Sequence, residues 1–232
     1  MALAWLAGCS SHTRPGDLDR VQPVSDTARI GNAYLFRGWI GIFSAGIDQL
    51  GAKLNDAGVR ATVYQESQWR DVARQIRRRY NAESVAQREP IVLIGHSYGA
   101  DAALRIAEQL DAHGIPVDLI ITLDPVTPPR VTGNVRRVYN LYQSNGMLDA
   151  FPWLRGIPLE AAPGAKVEIQ NMDIRRDRTD LLVRGLDHFN IEKQPGIHDD
   201  VLQQVLTVCV PRFVPRYAAE RPSGPAQTPP TP

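Results

Sequence analysis

Residues 90–110 constrain the fold more than any other stretch of the sequence. They contain the apolar run Ile-Val-Leu-Ile at 91–94, three of whose members are β-branched, a pattern typical of a buried strand. The segment Gly95-His96-Ser97-Tyr98-Gly99 comes next. After it, apolar residues recur at the spacing of one buried helix face: Ala100, Ala103, Leu104 and Ala107. The stretch therefore predicts a strand, a tight turn and a helix in succession.

Ser97 occupies the middle of a G-x-S-x-G pattern, which indicates a nucleophile elbow when it stands between a strand and a helix. The flanking Gly95 and Gly99 have a steric role, because a Cβ at either position would clash with the neighbouring strand or helix. The elbow would expose the Ser97 hydroxyl above the sheet edge and aim the backbone N–H of Tyr98 at an oxyanion. The alternative is an ordinary serine in a strand-to-helix turn.

Strand and helix patterns alternate along most of the chain. Apolar runs that indicate further strands occupy residues 30–36, 60–65, 118–123, 135–142 and 166–174. Three more amphipathic helices are indicated, at 43–54 with Gly58 as the stop, at 69–80 with Ser67 as the N-cap, and at 201–206 with Asp199 and Asp200 at the N-terminus. The alternation predicts an α/β fold, a three-layer sandwich around a mostly parallel sheet.

The composition is that of a globular domain, with 43% hydrophobic residues among 232 and a formal net charge of +1. This balance argues against nucleic acid or an acidic macromolecule as a partner. The arginine cluster at Arg175, Arg176 and Arg178 is interpreted as the solvated face of a loop. The sequence divides into a tether at 1–27, a folded domain at 28–217 and a Pro-rich tail at 218–232, which is expected to be disordered.

The first residues resemble the lipobox of bacterial lipoproteins. Leu6-Ala7-Gly8-Cys9 is followed by two serines and a polar, Pro- and Gly-containing segment suited to a tether. The resemblance implies that Cys9 is lipidated and that the domain faces the periplasm from the cell envelope. Membrane contact would come only through this anchor, since no apolar run approaches the ~18 residues needed to span a bilayer. The alternative is the frayed terminus of a cytoplasmic enzyme.

A nucleophilic serine needs a base to accept its proton and a carboxylate to orient that base. His188 is the favoured base, because it lies in the loop between the last predicted strand and the last helix. His198 abuts that helix and is the alternative. His96 lies inside the elbow and is expected to shape the turn. The remaining two histidines fall in the tether and at a surface helix end: His12 and His113.

Asp124 is the favoured acid. It ends a buried apolar strand and precedes Pro125, so its carboxylate is expected at the carboxyl edge of the sheet. Ser97 is expected at the same edge, where ligands bind in open α/β sheets. Asp149, which follows the next strand, is the main rival, and Asp173 is a weaker third. The other interpretation of Asp124 is a strand-end turn residue before proline.

The Gly95-to-Gly99 pentapeptide, together with Leu123-Asp124-Pro125, closely resembles the α/β-hydrolase superfamily, and more narrowly its lipase and thioesterase branches. The resemblance covers roughly residues 28–211. It implies a single α/β-hydrolase-like domain and a second oxyanion N–H from the loop after the first strand, at Gly38 or Trp39. It implies no metal and no cofactor.

The expected function is that of a serine hydrolase that cleaves an acyl ester or thioester through an acyl-enzyme. In this hypothesis Ser97 attacks, His188 moves the proton and Asp124 orients His188. The substrate would be a small-molecule or lipid acyl compound. Two alternatives stay open: an acyltransferase with the same triad, and a non-catalytic binding protein of the cell envelope.

Overall fold

One parallel sheet organises the molecule. A computed structural model describes residues 28–38, 45–144 and 156–212. Within these ranges six strands pair in the order β2-β1-β3-β4-β5-β6, and every pairing is parallel. The strands are β1 (Asn32–Arg37), β2 (Arg60–Gln65), β3 (Ile91–His96), β4 (Leu119–Leu123), β5 (Arg137–Tyr142) and β6 (Glu168–Asp173). The predicted α/β class with a mostly parallel sheet is confirmed.

Helices cover both faces of the sheet. In the described part of the chain the α-helices are α1 (Ala45–Asp56), α2 (Trp69–Ala82), α3 (Tyr98–Asp111) and α4 (Pro195–Leu206). Leu35 belongs to the core under α1 and α4, whereas the next residue of β1, Phe36, belongs to the core under α2 and α3. Successive residues of a strand point to opposite faces, so a strand covered on both sides is apolar throughout. None of these helices is long and apolar enough to cross a membrane.

The carboxyl ends of four adjacent strands meet at one edge of the sheet. The residues that directly follow β1, β3, β4 and β5 are Gly38, Ser97, Asp124 and Gln143. The strand order reverses between β1 and β3, since β2 lies on one side of β1 and β3 on the other. In open α/β sheets, ligands bind outside the carboxyl ends at such a switch point. The fold therefore brings the residue pattern around Ser97 to the position where a ligand would bind.

The prediction of Ser67 as a helix cap is wrong. Ser67 lies in a single 3₁₀ turn, Glu66–Gln68, that precedes α2. The side chains of Gln65 and Gln68 make the capping box of that turn instead. The residue that precedes α2 is Gln68, whose side chain makes no capping hydrogen bond to that helix.

The last helix begins earlier than the sequence pattern indicates. It starts at Pro195, because proline is well tolerated at the first helical position, where its missing N–H has no partner to lose. Asp199 and Asp200 therefore lie in its second turn rather than at its N-terminus. They form ion pairs with Lys53 and Arg178, at 3.0 and 2.8 Å.

Candidate active site

Ser97, His188 and Asp124 come together from three separate segments at the carboxyl edge of the sheet. His188 Nε2 lies 2.9 Å from Ser97 Oγ. His188 Nδ1 lies 3.4 Å from Asp124 Oδ2. The three residues are only 7%, 5% and 1% exposed, in the order Ser97, His188, Asp124. Hydroxyl, imidazole and carboxylate thus form a continuous chain of contacts shielded from water.

The backbone at Ser97 has φ 56° and ψ −127°, a conformation that side chains other than glycine rarely adopt. The close packing around the turn imposes it. A Cβ on Gly95 would overlap the carbonyl of Gly99, and a Cβ on Gly99 would overlap the carbonyl of Phe36. Both positions accept only glycine, and Ser97 is held at the tip of the strand-to-helix turn.

The protonation of the His188 ring follows from its two neighbours. Asp124 is an acceptor when ionised, so the neutral imidazole carries its proton on Nδ1 and leaves Nε2 to accept from the Ser97 hydroxyl. The 3.4 Å separation of Nδ1 and Oδ2 is longer than a normal N–H···O bond. Such contacts often tighten only when substrate binds and charge develops on the imidazole.

Asp124 is held in place from several directions. Its φ is +46°, so its backbone turns sharply out of β4. The backbone N–H of Gln143 donates to Oδ1 at 2.8 Å, and the Gln143 side chain donates from Nε2 to Oδ2 at 3.3 Å. Gly156 lies so close that a Cβ there would overlap Oδ1. The carboxylate therefore has one orientation, with Oδ2 towards His188.

Asp173, the third candidate for the acid, is engaged elsewhere. It accepts hydrogen bonds from Ser144, from the backbone N–H of Arg175 at 3.0 Å and from Arg176 Nε at 2.7 Å. Burial acts to raise the pKa of Asp173, but these donors outweigh it and lower the pKa below its usual range. Asp149, the main rival, lies outside the described residues.

His96 supports the segment that carries His188. Burial is the largest cause of a low pKa at His96, and the neighbouring His188 lowers it further, to about 3. The His96 ring is therefore neutral at physiological pH. Its Nε2 lies 2.8 Å from the backbone carbonyl oxygen of His188. Because a carbonyl only accepts, Nε2 carries the proton and donates it. A residue of the elbow thereby fixes the backbone of the base.

His198, the alternative base, makes no contact with Ser97. It lies in the first turn of α4, is 1% exposed, and its Nε2 donates to the carbonyl oxygen of Glu192 at 2.6 Å. Burial lowers its pKa, which keeps the ring neutral. His198 joins α4 to the preceding short helix at Ile191–Lys193.

Of the predicted oxyanion donors, Tyr98 and Gly38 are described, and both lie next to Ser97. Tyr98 is the first residue of α3, so its backbone N–H lies at the positive end of the helix dipole. A Cβ on Gly38 would come within 3.3 Å of the Ser97 Cβ, which shows how closely the end of β1 approaches the elbow. Trp39, the other proposed donor, lies outside the described residues, as does Cys9.

The sequence assigns no role in the site to three residues that contact it: Asp101, Gln143 and Arg175. Asp101 in α3 accepts from the backbone N–H groups of Val126 and Thr127, at 3.1 and 2.8 Å, and so ties the turn after Asp124 to the helix after Ser97. Gln143 holds Asp124, and Arg175 Nη2 donates to Gln143 Oε1 at 3.2 Å. A polar residue directly after a strand was the available signal for Gln143. No local pattern marks the other two.

A cavity of about 390 Å³ borders the site on the side of α3. Its lining combines aromatic and charged side chains, among them Glu66, Trp69, Tyr98 and Arg105. Burial raises the pKa of Glu66 above its usual range. Within the described ranges, no group of three or more histidine, cysteine or acidic side chains is arranged to hold a metal ion.

The sequence and the fold were compared with those of known proteins. A family model described as "Thioesterase domain" matches residues 35–194. No curated protein matches the sequence significantly. Among solved structures, Est1E from Butyrivibrio proteoclasticus is 12% identical, with 80% of this chain and 92% of that chain covered and a TM-score of 0.42. A cutinase-like protein from Cryptococcus sp. is 15% identical, with 79% and 96% covered and a TM-score of 0.41.

The family match includes every strand end that contributes to the site. It spans the segment after β1, the elbow at Ser97, the turn at Asp124 and the loop of His188. Since the matched region is more than half of the chain, the chain belongs to the thioesterase-domain family, and it is an α/β-hydrolase that cleaves ester or thioester bonds.

Proposed function

We propose that the chain hydrolyses acyl esters or thioesters through an acyl-enzyme formed on Ser97. The observation that supports this most directly is the 2.9 Å contact between Ser97 Oγ and His188 Nε2, with Asp124 on the far side of the imidazole. A serine in this setting has both the base that removes its proton and the carboxylate that stabilises the resulting imidazolium.

In the first half of the reaction, Ser97 Oγ attacks the acyl carbon while its proton passes to His188 Nε2. The tetrahedral intermediate then breaks its bond to the alcohol or thiol, and His188 returns the proton to that leaving group. The acyl group remains on Ser97 as an ester. Asp124 keeps the ring oriented and stabilises its positive charge, without itself taking the proton.

The oxyanion of each tetrahedral intermediate would be held by backbone N–H groups. The amide of Tyr98 supplies one of them from the N-terminus of α3. Gly38 or Trp39, in the segment after β1, supplies the second. Hydrogen bonds of this kind act where the negative charge develops and so lower the barrier more than they stabilise bound substrate.

In the second half, His188 removes a proton from water, and the water oxygen attacks the acyl carbon. Ser97 leaves as its hydroxyl after His188 gives the proton back, and a carboxylic acid is released. The cavity beside Tyr98 is lined by aromatic side chains such as Trp69 and by charged ones such as Arg105, so it suits a part of the substrate that has both apolar and polar groups.

The mechanism is tested by fluorophosphonate labelling and by hydrolysis of p-nitrophenyl butyrate and a butyryl thioester. Ser97→Ala should abolish labelling, and both Ser97→Ala and His188→Ala should lower kcat on the order of 10⁴-fold. Asp124→Asn should lose most activity, because the imidazole is left in the wrong orientation. His113→Ala is the matched control, since His113 is exposed at the end of α3.

Two results would contradict the proposal in different ways. Full activity of Ser97→Ala would overturn the acyl-enzyme mechanism as a whole. Near-normal activity of Asp124→Asn, together with loss of activity in Asp149→Asn, would mean that Asp149 is the acid. The role of Ser97 as nucleophile would then still stand.

A further inference from the structure

Two members of the arginine cluster, Arg175 and Arg178, do not lie on a solvated face; the Arg178 side chain is 23% exposed and pairs with Asp180 and Asp200. The sequence pattern indicates solvated side chains, and Arg176 fits it, with 63% of its side chain exposed. The guanidinium of Arg175 instead turns inward, where Nη2 donates to Gln143 Oε1 at 3.2 Å. The same nitrogen lies 3.5 Å from the carbonyl oxygen of Leu186, two residues before His188.

Gln143 stands between this guanidinium and the acid of the proposed triad. The residue is only 6% exposed. Its Nε2 donates to Asp124 Oδ2 at 3.3 Å, the same oxygen that faces His188. The amide has two ends of different chemistry, and each end meets the one partner that suits it: a guanidinium can only donate, and a carboxylate can only accept.

The orientation of the Gln143 amide is therefore set at both ends, by Asp124 at Nε2 and by Arg175 at Oε1. Without the guanidinium, Oε1 would lose its donor and the amide would be held only by its 3.3 Å contact with Asp124. Asp124 could then turn together with the amide, away from His188. Small displacements of a catalytic group are costly, since an error of about 1 Å can reduce a rate on the order of 100-fold.

We propose that Arg175 and Gln143 are positioning residues that fix the carboxylate of Asp124 towards His188. The 3.5 Å separation from the Leu186 carbonyl oxygen is longer than a normal hydrogen bond, so Gln143 is the partner through which the guanidinium acts on Asp124. The inference rests on the proposed function, because it concerns the acid of the same triad.

The test is a double-mutant cycle measured on p-nitrophenyl butyrate and by the rate of fluorophosphonate labelling. Arg175→Met and Gln143→Met should each lower kcat about tenfold, with KM within about twofold of the wild type. The double variant should be no slower than Gln143→Met alone within about twofold, because Arg175 acts through Gln143. Arg176→Met is the matched control from the same loop and should keep wild-type kcat.

Wild-type kcat in Arg175→Met would overturn the inference, and so would losses that multiply to about 100-fold in the double variant. If Arg175→Met does not fold, Gln143→Glu decides: its carboxylate would repel Asp124, so kcat must fall below that of Gln143→Met. Equal kcat in the two Gln143 variants would overturn the inference. If the wild type is not labelled, the proposed function is wrong and this inference is wrong with it. If the wild type is labelled, a negative result in the variants contradicts only the positioning role of Arg175 and Gln143.

Discussion

At the scale of single residues, the site is built on backbone strain. Among the described non-glycine residues, Ser97 and Asp124 have positive φ, at 56° and 46°. Each such residue costs on the order of 1–3 kcal/mol and persists only because the surrounding structure enforces it. In the described part of the chain, the proposed nucleophile and the proposed acid are thus the two non-glycine residues with this strained backbone.

This strain predicts that glycine at position 97 stabilises the fold. Ser97→Gly removes the steric penalty of the positive φ, although glycine costs about 0.5–1 kcal/mol through greater freedom of the unfolded chain. Ser97→Ala keeps the penalty and is the matched control. We expect the free energy of unfolding of Ser97→Gly to exceed that of Ser97→Ala by about 1 kcal/mol, measured by urea unfolding followed by circular dichroism. An equal or lower stability would show that the turn is not strained at this residue.

At the scale of elements, the start of α1 rests on a buried carboxyl group. Glu192 is 0% exposed, and a Cβ on Gly46 in the first turn of α1 would overlap both its carbonyl and its carboxyl oxygens. Burial raises the pKa of Glu192 from 4.5 to about 7, although the Lys193 ammonium group opposes the shift. Lys193 Nζ lies 3.9 Å from Oε1. The contact between α1 and the segment after His188 therefore responds to pH.

Glu192→Gln tests this response. Between pH 4.5 and about 7 the folded state binds more protons at Glu192 than the unfolded state, so stability falls as the pH rises through this window. Glutamine does not titrate. The variant should gain up to about 3 kcal/mol relative to the wild type on going from pH 5 to pH 8, measured by urea unfolding. The same stability difference at both pH values would contradict the assignment.

The sequence predicts the elements better than their ends. The centres of the strands follow from apolar runs, but β1 starts at Asn32, because Gly31 before it adopts a φ of 106°. The start of α4 at Pro195 agrees with the preference of proline for the first helical position, whereas no clear signal in the sequence marks the 3₁₀ turn that contains Ser67. Element type is a matter of periodicity, whereas ends are decided by individual hydrogen bonds.

For the site, the sequence nominated Ser97, His188 and Asp124, and the fold brings their side chains into one chain of contacts. The sequence gives no signal for Arg175, because its pattern indicates a solvated arginine. Its contact with Gln143 forms only because β5 and β6 are neighbours in the sheet. A residue such as Ser97 lies in a recognisable sequence motif. Residues such as Gln143 and Arg175, which orient another side chain, are recognised only from their contacts in the folded structure.

At the scale of the whole molecule, Cys209 reports on the integrity of the core. It follows α4, is fully buried in the core under α1 and α4, and its Sγ occupies the space that a Cβ on Gly31 would need. Burial, reinforced by the negative charge of Asp118, raises the pKa of the thiol to about 12. A thiol in such surroundings is unreactive as long as the domain stays folded.

This protection gives a measure of global unfolding. In a Cys9→Ser background, 5,5′-dithiobis(2-nitrobenzoic acid) at pH 8 should react with Cys209 at least about 100-fold more slowly in buffer than in denaturing urea. The rate in intermediate urea should follow the unfolding seen by circular dichroism. Rapid reaction in buffer would mean that α4 opens locally while the sheet stays intact.

The distance along the chain between the proposed nucleophile and the proposed base has a consequence for the time at which the enzyme becomes active. Ser97 and His188 are 91 positions apart, and β4, β5 and β6 are all made between them. As the chain leaves the ribosome, β1, β2 and β3 can collapse with their helices while the base is still unmade. Closing so long a loop is slow, and the order of synthesis cannot shorten it. A nascent chain therefore carries Ser97 without the proposed base that would accept its proton, and we expect hydrolysis to start only after His188 has been made and packed against Ser97.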